Sequence, residues 1–266
     1  NSTFKFYFME VHAHTHTERK KWSHYLWEFI MLFLAVFCGF LAENVREHKV
    51  ENERAEQLAK NLYADVLSDS ANIQQFTETR LTKERKCEYF IHYVRDSSLT
   101  ELSPVFYPAF GWATIMTRQV IFEPNDGIIS QLRNSGELRY FKNQDLQAII
   151  SRLSVDIANI RARNDKEYSL IELNLRPFTI RHFDFGWYEK ITHNGTLTFQ
   201  EGLNEVESKP IPAAIKNPEK FDRLEAENLV SYYLLMLRGT RQTQYIAYIQ
   251  DNHKLLQILR ETYHLK

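Results

Sequence analysis

The sequence contains one long apolar run, residues 25–42, which reads YLWEFIMLFLAVFCGFLA. From Phe29 to Ala42 it carries no charge, and counted from Trp22 the run has about 21 residues. At 1.5 Å per residue, such a helix is roughly as long as the 30 Å hydrocarbon core of a bilayer is thick. A buried core helix is the alternative, although its apolar run is usually only about 10–14 residues. We therefore predict a membrane-spanning helix over residues 22–43.

The flanks of this run predict its orientation. Residues 19–21 read RKK and are followed by the aromatic rings of Trp22, Tyr25 and Trp27, whereas residues 43–51 are a mixed and nearly neutral ENVREHKVE. Because basic residues beside a span tend to stay in the cytoplasm, residues 1–21 are expected to be a cytoplasmic tail. The run lacks the small-x-small ending of a cleaved signal peptide, so we interpret it as a permanent anchor.

Composition predicts an all-α domain, residues 44–266, beyond the span. The chain has only 8 Gly and 7 Pro, and Leu, Glu, Lys, Arg and Ala are frequent, which favours long helices joined by irregular connections. The 33 basic and 34 acidic side chains nearly balance, so there is no electrostatic footprint for nucleic acid. Two cysteines, Cys38 in the span and Cys87 beyond it, are not expected to form a disulfide.

The span is predicted to continue as a helix from Val45 to about Asp96, where no Pro or Gly occurs. Apolar residues at three- and four-residue spacing indicate one buried face: Ala55, Leu58, Leu62, Val66, Ile73 and Phe76. We interpret the charged residues of this stretch as a solvated face: Glu53, Arg54, Lys60, Asp65, Glu78 and Arg80.

Residues 104–126 are rich in aromatic side chains and are predicted to be irregular. The candidates for a pocket floor or a docking surface are Phe106, Tyr107, Phe110, Trp112 and Phe122. Such a cluster can line a ligand pocket, but more often it caps a helical bundle, and we favour the second interpretation.

Further helices are predicted from capping and breaking residues. A short helix over residues 128–133, capped by Asn125 or Asp126, should end in a left-handed turn at Gly136. Asn143 should cap a long helix that reaches about residue 175 and stops at Pro177. A long loop over residues 177–218 would follow, in which residues 196–199 could form a short strand. Two helices over residues 219–238 and 241–264 would come next, and residues 239–240 allow a bend or turn between them.

Three groups of polar or small residues are candidate sites near the anchor. His12, His14 and His16 alternate and could bind zinc or copper, or could belong to a flexible polar tail. His24 and Glu28 lie one helical turn apart at the cytoplasmic end of the span, where a carboxyl group serves as an interfacial anchor, a partner contact or a proton carrier. Ala35 and Gly39 form a small-xxx-small pair that permits close helix packing.

No specific catalytic signature occurs in the sequence. GxSxG, P-loop, GxGxxG, HExxH and CxxC motifs are all missing, so we predict a protein that is not an enzyme and uses no cofactor.

Two stretches resemble a known family. Residues 9–22, followed by WEFIMLFLAVFCGFLAENVREH, resemble the N-terminus of uncharacterised single-span membrane proteins from bacteria with two-membrane envelopes. Residues 122–150 look like that family's D-x5-L-x2-S-G-x-L segment, whose positions are held here by Asp126, Leu132, Ser135, Gly136 and Leu138. The family is a domain of unknown function. The resemblance implies an inner-membrane protein with a helical periplasmic domain and transfers no catalytic residue.

These patterns favour a membrane-anchored envelope protein that acts as a scaffold or accessory subunit of a larger complex. Its expected partners are membrane lipid, further copies of itself and other envelope membrane proteins. Two alternatives stay open. One is a periplasmic ligand-sensing domain built on the aromatic segment, and the other is an ion-coupled accessory that uses Glu28.

Overall fold

A computed structural model describes residues 21–100, 102–103, 105–117, 120–186, 189 and 215–265. These residues form an all-α structure, in which extended backbone pairs only at one isolated bridge between Phe183 and Ile215. The chain divides into two compact units, Asn1–Glu53 and Arg54–Lys266. We call the second unit the helical domain. The α-helices are α1 (Trp22–Asp96), α2 (Phe106–Thr114), α3 (Gly127–Asn134), α4 (Gln144–Leu170), α5 (Arg176–His182), α6 (Arg223–Gly239) and α7 (Ile246–Tyr263).

Helix α1 is 75 residues long and ends at Asp96, as the sequence predicted. In the helical domain its predicted apolar stripe is confirmed. Ala55, Leu58, Leu62, Val66 and Ile73 are buried, and Phe76 packs against the same core at its edge. In the first unit, nearly every described residue is exposed. Within the helical domain, the three- and four-residue spacing of apolar side chains over residues 55–76 thus predicted the buried face of α1 correctly.

The helical domain has two hydrophobic clusters. One contains the early part of the α1 stripe together with side chains of α3, α4 and α7. The other contains α1 residues 87–94 together with α2, the end of the α4–α5 region and α6. Helix α1 therefore contributes to both clusters and is the element on which the domain is built.

The aromatic segment is not irregular throughout, contrary to the prediction. Nine of its residues form α2, and all nine are buried. Phe106 and Phe110 pack on Phe90 of α1 with ring centroids 5.7 Å apart in both pairs. Side-chain burial against α1 thus outweighs the weak helix preference of aromatic residues and of the Pro and Gly that α2 contains.

The prediction that Pro177 stops a helix was wrong. Helix α4 passes into a π-helical turn, Ile171–Leu175, and then into α5, which continues to His182. Pro177 stands in the first turn of α5, where its missing N–H need not make a helical bond. The wider π turn therefore lets a proline sit inside a continuous helical run.

The bend or turn that Gly239–Thr240 allows does not interrupt the helical path. Helix α6, a second π-helical turn (Thr240–Tyr245) and α7 follow one another without a break. Gly239 has an ordinary helical φ of −59°, and the adjacent Thr240 is fully buried. Packing around Thr240 outweighs the low helix propensity of the glycine. Helix α6 begins later than predicted, after the cap Asp222, which accepts a hydrogen bond from the N–H of Glu225.

Candidate functional site

A fully buried arginine lies at the centre of the helical domain. Its Nε donates to the carbonyl of Leu237 at 3.0 Å, and its Nη1 donates to the carbonyl of Val120 at 2.8 Å and to the Tyr245 hydroxyl at 3.1 Å. Its Nη2 forms an ion pair with the buried carboxylate of Glu167. This residue is Arg80, so its assignment to a solvated face was wrong. We call this set of contacts the Arg80 node.

The Arg80 node joins α4, just before the first π turn, to the start of the second π turn. Glu167 lies one turn before the first, and Thr240 opens the second. The Thr240 hydroxyl donates to Glu167 Oε1 at 2.6 Å, and its oxygen lies 3.1 Å from the carbonyl oxygen of Met236. Arg241, in the second π turn, makes a bidentate bond to the buried Glu84 of α1 at 2.7 and 2.8 Å. These charge-assisted bonds tie α1 and α4 to the junction of α6 with α7.

One turn after Arg80, Lys83 caps the end of α2 from inside the domain. Its Nζ donates to the carbonyls of Trp112 and Met116 at 2.6 and 2.7 Å and lies 4.9 Å from the centre of the Tyr233 ring. A cation at a helix C-terminus satisfies carbonyls that lack helical partners. Burial nevertheless lowers the pKa of Lys83 to about 8 and raises the pKa of the nearby Cys87 thiol to about 11, because both charged forms lose hydration.

Two buried polar atoms beside the node have no hydrogen-bond partner within the described part of the chain. They are Oε2 of Glu167 and the hydroxyl of Tyr233. Burial raises the pKa of Tyr233 well above its usual value, and the Glu167 carboxylate adds to that shift. These two atoms therefore destabilise the folded domain beside the node, because desolvated polar groups without partners cost free energy.

A second buried polar cluster lies further towards the start of the domain. The carboxylate of Asp69 accepts hydrogen bonds from the N–H of Asn125 at 2.8 Å, from its side-chain amide at 2.6 Å, and from the Tyr248 hydroxyl at 2.6 Å. Burial raises the pKa of Asp69, and these hydrogen bonds oppose the shift. The Asn252 amide, in turn, donates to the carbonyl of Val66 at 3.0 Å. Helix α1 is thus joined to α7 by polar contacts as well as by apolar packing.

The family-like segment forms a turn that supports the fold. Asp126 caps α3, but its side chain accepts from the Ser130 hydroxyl at 3.1 Å and from Arg161 at 2.5 Å, and the Arg161 bond lowers the pKa of Asp126. Gly136 has a φ of +74°, so the predicted left-handed turn is confirmed.

The other positions of this segment also have local roles. Leu132 is fully buried, Leu138 packs against the same core, and the Ser135 hydroxyl donates to the carbonyl of Gln131 at 2.7 Å. Each position has a packing or turn-forming role.

The aromatic candidates are placed in the core. Phe106, Tyr107, Phe110 and Trp112 belong to one hydrophobic cluster, and Phe122 belongs to the other. A shallow cleft of about 210 Å³ lies near the end of α2, and its lining contains none of these five residues. It is lined instead by Thr114, Ile115, Thr117, Ile171, Arg176, Thr179, Ile180 and Phe185. The five rings therefore pack within the hydrophobic clusters of the helical domain and do not line this cleft.

In the first unit, the His24 imidazole and the Glu28 carboxylate lie 3.1 Å apart, and both side chains are about half exposed. Ala35 and Gly39 are exposed on α1. His12, His14 and His16 lie outside the described residues, as does the predicted strand at 196–199. Within the described ranges, no group of three or more His, Cys, Asp or Glu side chains is arranged to hold a metal ion.

The sequence did contain a signal for the Arg80 node. Positions 73, 76, 80, 83, 87 and 90 continue the three- and four-residue spacing of the α1 stripe, so Arg80 and Lys83 stand on its buried face. The charge of Arg80 led to its assignment to the solvated face, because arginine is rarely buried without a partner. Glu167, 87 positions away, could not be recognised as that partner from spacing alone.

Comparison of the chain with protein-family models, with curated proteins and with solved structures gives no match.

Proposed function

We propose that this protein is a membrane-anchored scaffold or accessory subunit of a larger envelope complex, with the helical domain on the periplasmic side of a bacterial inner membrane. In this proposal residues 22–43 cross the membrane, and residues 1–21 stay in the cytoplasm. The domain contributes a fixed surface for other proteins and performs no chemistry of its own.

The observation that carries this proposal is the apolar stretch of α1. Among the described residues, one helix contains a stretch long and apolar enough to cross a bilayer, and none of that stretch is buried. Phe29, Phe33 and Phe37 stack along one side with ring centroids 6.3 and 5.9 Å apart. Exposing an apolar surface of this size to water costs free energy. That cost disappears when the surface contacts lipid.

The Arg80 node supports the scaffold part of the proposal. Its donors are used on backbone carbonyls and side chains of three segments that are far apart in the sequence. A buried cation bonded in this way favours one arrangement of its neighbours, because displacing it leaves a charge without partners. A domain of fixed shape suits a subunit that positions other proteins.

The test is purification of the tagged full chain from its native membranes in mild detergent. We expect a particle heavier than one chain and detergent, with envelope proteins present in constant ratio. The matched control is residues 1–53 fused to an unrelated soluble domain. It should reach the membrane but lose the partners that the helical domain binds. A full chain that runs as a monomer, with no protein in constant ratio, would contradict the scaffold proposal.

The 3.1 Å contact between His24 and Glu28 favours a second candidate, an accessory that moves protons at the cytoplasmic end of the span. In that case Glu28→Gln should abolish the proton-dependent activity of the complex that co-purifies, with assembly unchanged. If Glu28 is only an interfacial anchor, the variant should keep both. Purification of the complex, followed by a proton-flux assay in vesicles, separates the two outcomes.

A further inference from the structure

Nearly every described residue of α1 before the helical domain is exposed, and among them one set at every seventh residue contains no Asp, Glu, Lys or Arg. Its members are His24, Met31, Cys38, Val45 and Asn52. Four more exposed residues follow three positions after the first four: Trp27, Leu34, Leu41 and His48. Alternating steps of three and four are the a and d positions of a left-handed coiled coil. We call these nine residues the α1 seam.

The α1 seam ends where α1 begins to pack in the core of the helical domain. Ala55, the next d position, is buried in the helical domain at 4% exposure, whereas Val45 is 68% and Leu41 43% exposed. From 24 to 52 the seam runs about 42 Å at 1.5 Å per residue, longer than the span alone. Helical residues 44–50 beyond the span are all exposed. Helices without packing partners are marginal in water, so this part of α1 would gain most from a partner.

The residue types on the α1 seam identify the partner as a second copy of this chain. Leu34 and Leu41 occupy d positions and Val45 an a position, and leucine at d with a β-branched residue at a favours two strands. Asn52 stands at an a position, where a buried asparagine fixes register by pairing with the same asparagine of a parallel partner. A partner of different sequence would have to match both features, but an identical chain has them already.

The membrane would enforce the parallel arrangement. Two copies inserted with the same orientation present α1 in the same direction, so equivalent residues face each other across a two-fold axis. We propose that a second copy of this chain packs in parallel along the α1 seam, through the membrane and into the water beyond it. This inference rests on the proposed membrane anchor and names one partner of the scaffold.

The small-xxx-small pair belongs to a different face. Ala35 and Gly39 each stand one residue after a seam position, Leu34 and Cys38. A right-handed contact through Ala35 and Gly39 would bring other residues to the axis. The two arrangements therefore predict different sets of close residue pairs, which cysteine cross-linking can distinguish.

The experiment uses the full chain in native membranes and its own Cys38, which is exposed, whereas Cys87 is fully buried. Mild oxidation should convert the wild-type chain into a disulfide-linked dimer, and Cys38→Ser should not form it. In the Cys38→Ser chain, Val45→Cys and Asn52→Cys should restore the dimer. The matched controls Phe37→Cys and Val50→Cys lie off the seam on the same helix and should give several-fold less.

Three outcomes would overturn the α1 seam. They are equal cross-linking at positions 37, 45, 50 and 52, a maximum at Ala35→Cys and Gly39→Cys, and no dimer at any position. Alkaline extraction of the same membranes separates this failure from failure of the anchor. Protein that stays in the pellet without cross-linking refutes the seam alone, whereas protein released to the supernatant refutes the anchor on which the seam rests.

Discussion

Arg80 shows how one residue can decide the packing of several helices. A charge leaves water only where bonds replace its hydration, and the Arg80 guanidinium has acceptors on Leu237, Val120, Tyr245 and Glu167. The arrangement gains specificity more than stability, because a buried ion pair often contributes little net free energy while its loss is costly.

Replacing Arg80 by methionine should therefore lower the free energy of unfolding of the helical domain by about 3–5 kcal/mol, because Glu167 is left charged and buried without its partner. The measurement is thermal unfolding of the detergent-solubilised full chain, followed by circular dichroism.

Arg54→Met is the matched control on the same helix. Arg54 pairs with Glu137 at 2.9 Å, but its side chain is about half exposed, so this change should cost less than about 1 kcal/mol. Equal losses for the two variants would contradict the role given to the Arg80 node.

Lys83 makes stability depend on pH in a defined direction. Its pKa is about 8 in the folded chain, lowered from 10.5. Between those values the unfolded chain binds the proton that the folded chain has released, so the Lys83 contribution rises with pH, by at most about 3 kcal/mol.

Comparison with Lys83→Met isolates this contribution from other titrations. The wild type should gain stability relative to the variant between pH 8 and 10.5 in unfolding experiments across that range. The wild-type and variant free energies of unfolding could instead differ by a constant amount, or by less as pH rises. Either result would show that hydrogen bonds to the carbonyls of Trp112 and Met116 stabilise the ammonium at least as much as burial destabilises it.

At the scale of elements, the sequence predicted the backbone correctly where a single residue determines the local conformation. Asn143 caps α4 by accepting from the N–H of Leu146 at 3.1 Å, and Gly136 adopts the left-handed turn, both as predicted. Local signals failed at Pro177 and at Gly239, where π turns continue the helical path; the first packs in a hydrophobic cluster and the second contributes Thr240 and Tyr245 to the Arg80 node. Those turns depend on residues far away in the sequence, which no local rule includes.

Gly136→Ala should destabilise the helical domain by about 1 kcal/mol, because an L-residue with a side chain is strained at a φ of +74°. No atom lies within 4 Å of the added methyl group, so the loss would come from the backbone alone.

The control is Gly127→Ala at the start of α3, where the methyl group also meets open space and φ is not in the left-handed region. This change should be neutral or slightly stabilising. Thermal unfolding of both variants would refute the turn argument if Gly127→Ala proved the more harmful.

For the whole molecule, the sequence predicted the all-α class and the exposed apolar stretch of α1, since both follow from composition and periodicity. It did not predict how charges pair in the core, because Arg80, Lys83 and Glu167 come from two helices whose contact is tertiary. The proposed envelope scaffold depends on both levels, because the apolar stretch follows from the sequence and the contacts of the Arg80 node follow from the fold.

The most direct test of this account is the topology of α1. Val50→Cys, in the Cys38→Ser chain, places an exposed thiol just beyond the proposed span. The account predicts that a membrane-impermeant maleimide labels this thiol in cells with only the outer membrane permeabilised, and that the protein stays in the membrane pellet after alkaline extraction. Labelling only after the inner membrane is broken, or release of the protein by alkali, would contradict it.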